Sequence, residues 1–119
     1  MKKVLIVDDS ITIRKRLRTI LEKNRYNVIG EAKDGNQAID MYLKYKPDIV
    51  TMDIFMPDLS GIDTIKLISD MDKSTKIIVI SSYCQKDIIL SAVNAGAHEV
   101  IIKPFDEEAV IKVLDLIYR

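Results

Sequence analysis

An α/β fold on a five-stranded parallel sheet is predicted by two features of this 119-residue sequence: β-branched runs alternate with segments of helical period, and the alternation recurs five times. A third feature bears on what the fold carries. Three of the apolar runs stop at charged residues: Val4-Leu5-Ile6-Val7 at Asp8 and Asp9, Asp48-Ile49-Val50-Thr51-Met52 at Asp53, and Glu99-Val100-Ile101-Ile102 at Lys103-Pro104. If these strands are parallel neighbours, three carboxylates and one ammonium gather at one edge of the sheet.

The elements follow in order. The first strand is Lys3 to Val7, and Ser10 is a good N-cap for a helix whose inward stripe is Ile13, Leu17, Ile20 and Leu21. Asn24 and Asn27 mark the next turn. The second strand, Asn27 to Ala32, is weakened by Gly30, and Asp34-Gly35-Asn36 turns into a helix with Ala38, Ile39, Tyr42 and Tyr45 on its buried side. Pro47 forces Lys46 out of the helical region and ends that helix. The third strand follows at once, then the loop Pro57-Asp58-Leu59-Ser60-Gly61. The third helix is expected over Ile62 to Met71, the fourth strand over Lys76 to Ile80, and the fourth helix over Lys86 to Ala95 with Gly96 as C-cap. A fifth strand ends at Lys103. The last helix begins near Asp106 and carries Ala109, Val110, Val113, Leu114 and Ile117 at core spacing.

Composition narrows the class. With 48% apolar residues the chain has material for one core, and one domain over residues 1–119 is expected. Eighteen basic and eighteen acidic residues cancel, and no Lys/Arg block tracks a phosphate backbone, which argues against direct nucleic-acid binding. The apolar stretch after Met1-Lys2-Lys3 is too short for a secretion signal, and nothing approaches the ~20 apolar residues of a membrane span. The single Cys84 cannot form an internal disulfide, so a reducing cytoplasm is expected. Neither Cys84 nor the lone His98, read as a surface residue, is given a role. Lys15, Arg16 and Arg18 are read as a solvated helix face.

Two carboxylates ~4 Å apart repel by roughly 4 kcal/mol at an effective dielectric of about 20, so Asp8, Asp9 and Asp53 stay close and ionised only beside positive charge. A hard divalent cation supplies it. An aspartate after a buried strand also serves as a helix cap, and for Asp9 or Ser10 alone that reading is as good. Capping does not call for three acids and a lysine at separate strand ends.

The elements Val7-Asp8-Asp9-Ser10, Met52-Asp53-Ile54-Phe55-Met56-Pro57-Asp58-Leu59-Ser60-Gly61, Ile80-Ser81-Ser82, Ala95-Gly96-Ala97 and Lys103-Pro104-Phe105 occur together over the whole chain. In this order and spacing the chain resembles the response-regulator receiver domains of two-component signalling, nearest to the single-domain chemotaxis regulators of the CheY kind. The resemblance implies a doubly wound, flavodoxin-like sheet in the order 2-1-3-4-5 with five flanking helices. It also implies that Asp53 is the phosphoacceptor for a sensor histidine kinase or a small phosphodonor. Asp8, Asp9, Asp53 and the backbone carbonyl of Phe55 would hold Mg2+, or Mn2+ in its place. Lys103 would pair with Asp53 at rest and with the phosphoryl oxygens afterwards, and the Lys103-Pro104 bond would be cis. Ser81 would swing towards the phosphoryl group.

In such domains an aromatic residue on the fifth strand turns inward with that serine, but here the position is Val100, so the output is expected from loop and fourth-helix movement. Phe55 and Tyr83 flank the phosphoryl position, and their bulk implies a slowly hydrolysing acyl phosphate. The chain would catalyse only its own phosphorylation and dephosphorylation, and would signal to an effector such as a flagellar switch component or another target protein. A receiver cut from a longer DNA-binding or enzymatic regulator would look the same. An Asp-based phosphatase fits less well, because its first strand ends in Asp-x-Asp. A nucleotide or flavin carrier would need a glycine-rich or hydroxyl-rich loop after strand one, and Ser10-Ile11-Thr12-Ile13-Arg14 has no glycine. An interaction module that is never phosphorylated would be expected to lack one of the site residues.

Overall fold

The central strands are apolar on both sides because helices cover both faces of the sheet. In the computed structural model, which describes residues 1–56, 58–82 and 85–118, the elements are β1 (Lys3–Val7), α1 (Ile11–Lys23), β2 (Asn27–Ala32), α2 (Gly35–Tyr45), β3 (Ile49–Met52), α3 (Gly61–Met71), β4 (Lys76–Ser81), α4 (Lys86–Ala95), β5 (Glu99–Ile102) and α5 (Glu107–Ile117). All strand pairs are parallel, in the order β2-β1-β3-β4-β5. The expected doubly wound architecture is therefore the observed one.

Alternate side chains of each strand feed two cores. Leu5, Val7, Val50, Met52, Ile77 and Val79 meet Ala38, Tyr42, Ile65, Ile68 and Ala92 from α2, α3 and α4. Val4, Ile6, Ile49, Ile78, Ile80 and Ile101 meet Leu17, Ile20, Leu21, Val110 and Leu114 from α1 and α5. Thr51 is the odd member of this second face. Its hydroxyl is buried and is the one fully buried side-chain polar atom without a hydrogen-bond partner among the described residues, a situation that costs about 1–3 kcal/mol.

Helix ends follow local chemistry. Ser10, Asp34, Ser60 and Asp106 each accept a backbone N–H of the first turn, from Ile13, Gln37, Asp63 and Ala109. Gly96, at φ 129°, closes α4 in a conformation that side chains rarely adopt. No helix among the described residues is long and apolar enough to cross a membrane.

Several expectations shift. The third helix begins at Gly61 and the fourth strand runs on to Ser81. Asp48 lies outside β3, its carboxylate accepting the Lys3 N–H at 2.8 Å. Gly30 does not break β2; the register slips by one residue opposite Val4 and Leu5, and pairing resumes. Tyr45 is not buried: it is the last residue of α2, where the chain reverses through left-handed Lys46, and its ring lies at the surface near the Lys44 ammonium. Pro57, Tyr83 and Cys84 fall outside the described residues.

Candidate functional site

β2 and β3 flank β1, so the chain order reverses beside β1, and a crevice forms beyond the carboxyl ends of β1 and β3. Backbone ladders deliver the acids to it. The Asp8 N–H donates to Ala32 O at 3.0 Å and the Asp53 N–H to Val7 O at 3.0 Å, which carries both residues one step past their strands in register. On the other side the Lys103 N–H donates to Ser81 O at 2.8 Å. Gly61, whose N–H reaches Ile54 O at 2.8 Å, brings the start of α3 directly under the Asp53 backbone.

The side chains converge as the strand ends foretell. One carboxylate oxygen from each of Asp8, Asp9 and Asp53 lies within 4.8 Å of the other two. Asp8 and Asp53 are buried and Asp9 is exposed, so the cup has a closed floor and one solvent-facing lip. The Lys103 ammonium sits 2.8 Å from Asp8 Oδ2 and 3.6 Å from Asp53 Oδ2. It pairs with Asp53, as the resemblance implies, and lies closer still to Asp8. On each acid a backbone N–H takes Oδ1, from Ser10 on Asp8 at 2.9 Å and from Phe55 on Asp53 at 3.3 Å, which leaves both Oδ2 atoms turned to the ammonium. The Lys103–Pro104 bond is cis, as the resemblance implies.

Burial holds the Asp53 carboxyl above the usual carboxylate range. The Lys103 ammonium pulls it down, the Asp8 charge pushes it up, the Phe55 N–H (3.3 Å from Oδ1) pulls it down, and Asp9 adds a further upward push. A group in that balance invites more positive charge. The three acids lie close enough together that they could hold one Mg2+, an ion that takes few protein carboxylates and keeps several waters. The donor set is all oxygen, which suits that metal.

Phe55 presents its backbone N–H to Asp53 while its side chain is about half exposed. Ser81 is buried at the end of β4, on the Lys103 side of the crevice. Val100 lies on the face of β5 turned to the α2–α3–α4 core. His98 is exposed as expected, yet its Nδ1 accepts the Ile77 N–H at 3.1 Å, and burial keeps the ring's pKa low. The helix face of Lys15, Arg16 and Arg18 is only partly solvated: Arg18 Nε donates to Glu31 at 2.6 Å, and the Arg16 guanidinium lies 4.9 Å from the Phe105 ring centroid.

Sequence reading passed over two residues at the site's back wall. Arg14 Nη1 donates to Asp8 O at 2.7 Å and its Nε to Glu31 at 3.1 Å. The available signal was their spacing: Arg14 lies one helical turn after the Ser10 cap and Glu31 one residue before the end of β2.

Known proteins agree with this arrangement. The family model described as "Response regulator receiver domain" matches residues 4–115. Chemotaxis protein CheY of Thermotoga maritima is 46% identical over 118 residues, covering 99% of this chain and 98% of that protein. Chemotaxis protein CheY of Bacillus subtilis is 39% identical, covering 95% and 94%. Among solved structures, the CheX-CheY-BeF3-Mg2+ complex from Borrelia burgdorferi superposes with a TM-score of 0.95 at 33% identity, covering 99% of this chain and 90% of that one. Fold, strand-end chemistry and sequence therefore converge, and the chain belongs to the response regulator receiver domain family.

Proposed function

We propose that Asp53 is the phosphoacceptor of a receiver domain spanning residues 1–119, and that Asp8, Asp9, Asp53 and the Phe55 carbonyl hold Mg2+, with Mn2+ able to replace it. The observation that carries this reading is the convergence of three carboxylates on one point, with a lysine across from them. An Asp53 oxygen attacks phosphorus; the new O–P bond makes an acyl phosphate as the P–N bond of a kinase phosphohistidine, or the P–O bond of acetyl phosphate, breaks. The imidazole or acetate leaves with the bonding electrons. Bound Mg2+ would neutralise charge on the phosphoryl oxygens. Lys103, 3.6 Å from Asp53, would do the same from the other side.

The product adds roughly −1.5 to −2 charges beside the end of β4. Ser81 is our candidate donor to the new oxygens, and its movement would carry the signal into the loop after β4 and into α4. Val100 offers no ring to reorient, which favours that route over an aromatic switch. The Borrelia relative was solved together with CheX. That supports reading this chain as one that accepts phosphate from a sensor histidine kinase and then binds an effector, in a cytoplasmic setting, with no catalysis beyond its own phosphorylation and dephosphorylation.

Acetyl phosphate with Mg2+ should add one phosphoryl group to the intact mass of the chain, and excess EDTA should prevent it. Unchanged mass with Mg2+ present, or equal labelling with EDTA, would contradict the reading. The half-exposed Phe55, and Tyr83 two residues after Ser81 in the sequence, are expected to hinder attacking water. Replacing them together, Phe55→Asn with Tyr83→Glu, should shorten the acyl phosphate's lifetime by on the order of a hundredfold, the lower end of what a positioned acid–base side chain contributes. An unaltered decay curve would remove the bulk argument.

A further inference from the structure

Asp8 is held through all four of its polar groups. Its N–H donates to Ala32 O, its Oδ1 accepts the Ser10 N–H and its Oδ2 accepts Lys103 Nζ. The fourth contact falls on the main-chain carbonyl and comes from Arg14, Nη1 to Asp8 O, 2.7 Å. The Arg14 side chain is only 14% exposed. Nε of the same guanidinium donates to Glu31 Oε1 at 3.1 Å, while Glu31 Oε2 accepts Arg18 Nε at 2.6 Å. Glu31 thus fixes the plane of the fork from β2, and the fork fixes the peptide that joins Asp8 to Asp9.

That peptide matters because Asp9 has no anchor of its own. Among the described residues nothing hydrogen-bonds or ion-pairs with the exposed Asp9 carboxylate. Its position is set by the backbone turn between β1 and α1 alone. A guanidinium can serve two acceptors in fixed directions at once, which the single point of an ammonium cannot do. A bare cation beside a metal site would also oppose the metal. The Glu31 carboxylate offsets that charge, and what remains is the directional bond to the carbonyl.

We propose that Arg14, oriented by Glu31, is a positioning residue that sets the β1–α1 turn so that Asp8 and Asp9 face a common divalent cation. The inference rests on the reading that these two acids are metal ligands. It adds a bracing pair that reaches the site through the backbone.

The test is Mg2+ titration of the full chain by calorimetry, with urea unfolding of the metal-free protein measured alongside. Outer-sphere supports of metal ligands typically contribute about 10–100-fold to affinity, so Arg14→Ala should weaken Mg2+ binding about tenfold or more. Arg14→Lys keeps the charge and loses the fork, and should not restore affinity. Lys15→Ala, which removes a neighbouring exposed charge, should leave it within about twofold, by the weakness of screened surface charges. Wild-type affinity in Arg14→Lys overturns the inference, as does an equal loss in Lys15→Ala. If Arg14→Ala fails to fold, the Arg14→Lys and Lys15→Ala comparison still decides. Asp9→Asn separates this idea from its foundation: a wild-type chain that binds Mg2+ no better than Asp9→Asn removes the ligand reading and the brace together. Loss in Asp9→Asn but not in Arg14→Lys removes the brace alone.

Discussion

Gly61→Ala should destabilise the protein by about 3 kcal/mol or more, at the upper end of what overpacking costs and enough to lower the melting temperature by roughly 10 °C. A Cβ at this position would run into the carbonyl oxygen of Asp53, and would lie 2.5 Å from the Ile54 Cα and 2.9 Å from the Ile54 oxygen. All three are backbone atoms, so no rotamer change relieves the clash. The chain must move either the start of α3 or the end of β3, and the latter carries Asp53. Labelling by acetyl phosphate should therefore fall together with stability. Urea unfolding checks the first part, and a variant within about 0.5 kcal/mol of wild type, the ordinary range for surface changes, would show that the close approach of α3 is not needed.

Lys103→Met should cost about 3 kcal/mol at neutral pH in the absence of metal, because it strands buried Asp8 and Asp53 without the ammonium that bridges them. The loss should depend on pH in a stated direction. Burial already raises the folded-state pKa of Asp53, and removing Lys103 deletes the main influence that pulls it down. The folded variant then binds a proton more readily than the unfolded chain, whose carboxylates titrate near 4. Stability is lost as pH rises through the interval from that value to the folded one, so acidification from pH 7 towards 5 should recover part of it. Millimolar Mg2+ should recover stability too, since an ion that binds only the folded state stabilises by mass action. Unfolding curves that show the same deficit at both pH values, with and without Mg2+, would contradict this picture of the cup.

The parts of this architecture that the sequence reveals are those where one physical demand acts on consecutive residues. The sequence places β1 and β2 to the residue, and the other strands to within one, because burial on both faces leaves runs of apolar side chains that stop where the sheet stops. Ser10 and Gly96 marked helix ends because capping and left-handed turns each admit few residue types. The acids and the lysine were legible for the same reason, being charges set at the ends of such runs. What escaped notice depends on distance in the fold. Asp58 reads as a loop residue, but its carboxylate accepts the backbone N–H groups of Gly35 and Asn36 at 3.0 and 3.2 Å, tying the loop after β3 to the start of α2. Nothing in the sequence singles out Arg14 until β2 brings Glu31 beside it. That the Lys103 ammonium lies nearer Asp8 than Asp53 is a detail no spacing rule contains. Tyr45 keeps helical period with Ala38 and Tyr42, yet the chain turns away before its ring finds a surface to cover.

Reduction of the acetyl phosphate-treated protein with borohydride, followed by peptide mass mapping, tests the proposed chemistry most directly, because an aspartyl phosphate is reduced to homoserine at the residue that carried it. Homoserine should appear at position 53 alone, only when Mg2+ was present, and not in Asp53→Asn. Homoserine at position 8 or 9 instead, or a labelled protein that yields none, would mean that the cup receives phosphate elsewhere or not at all.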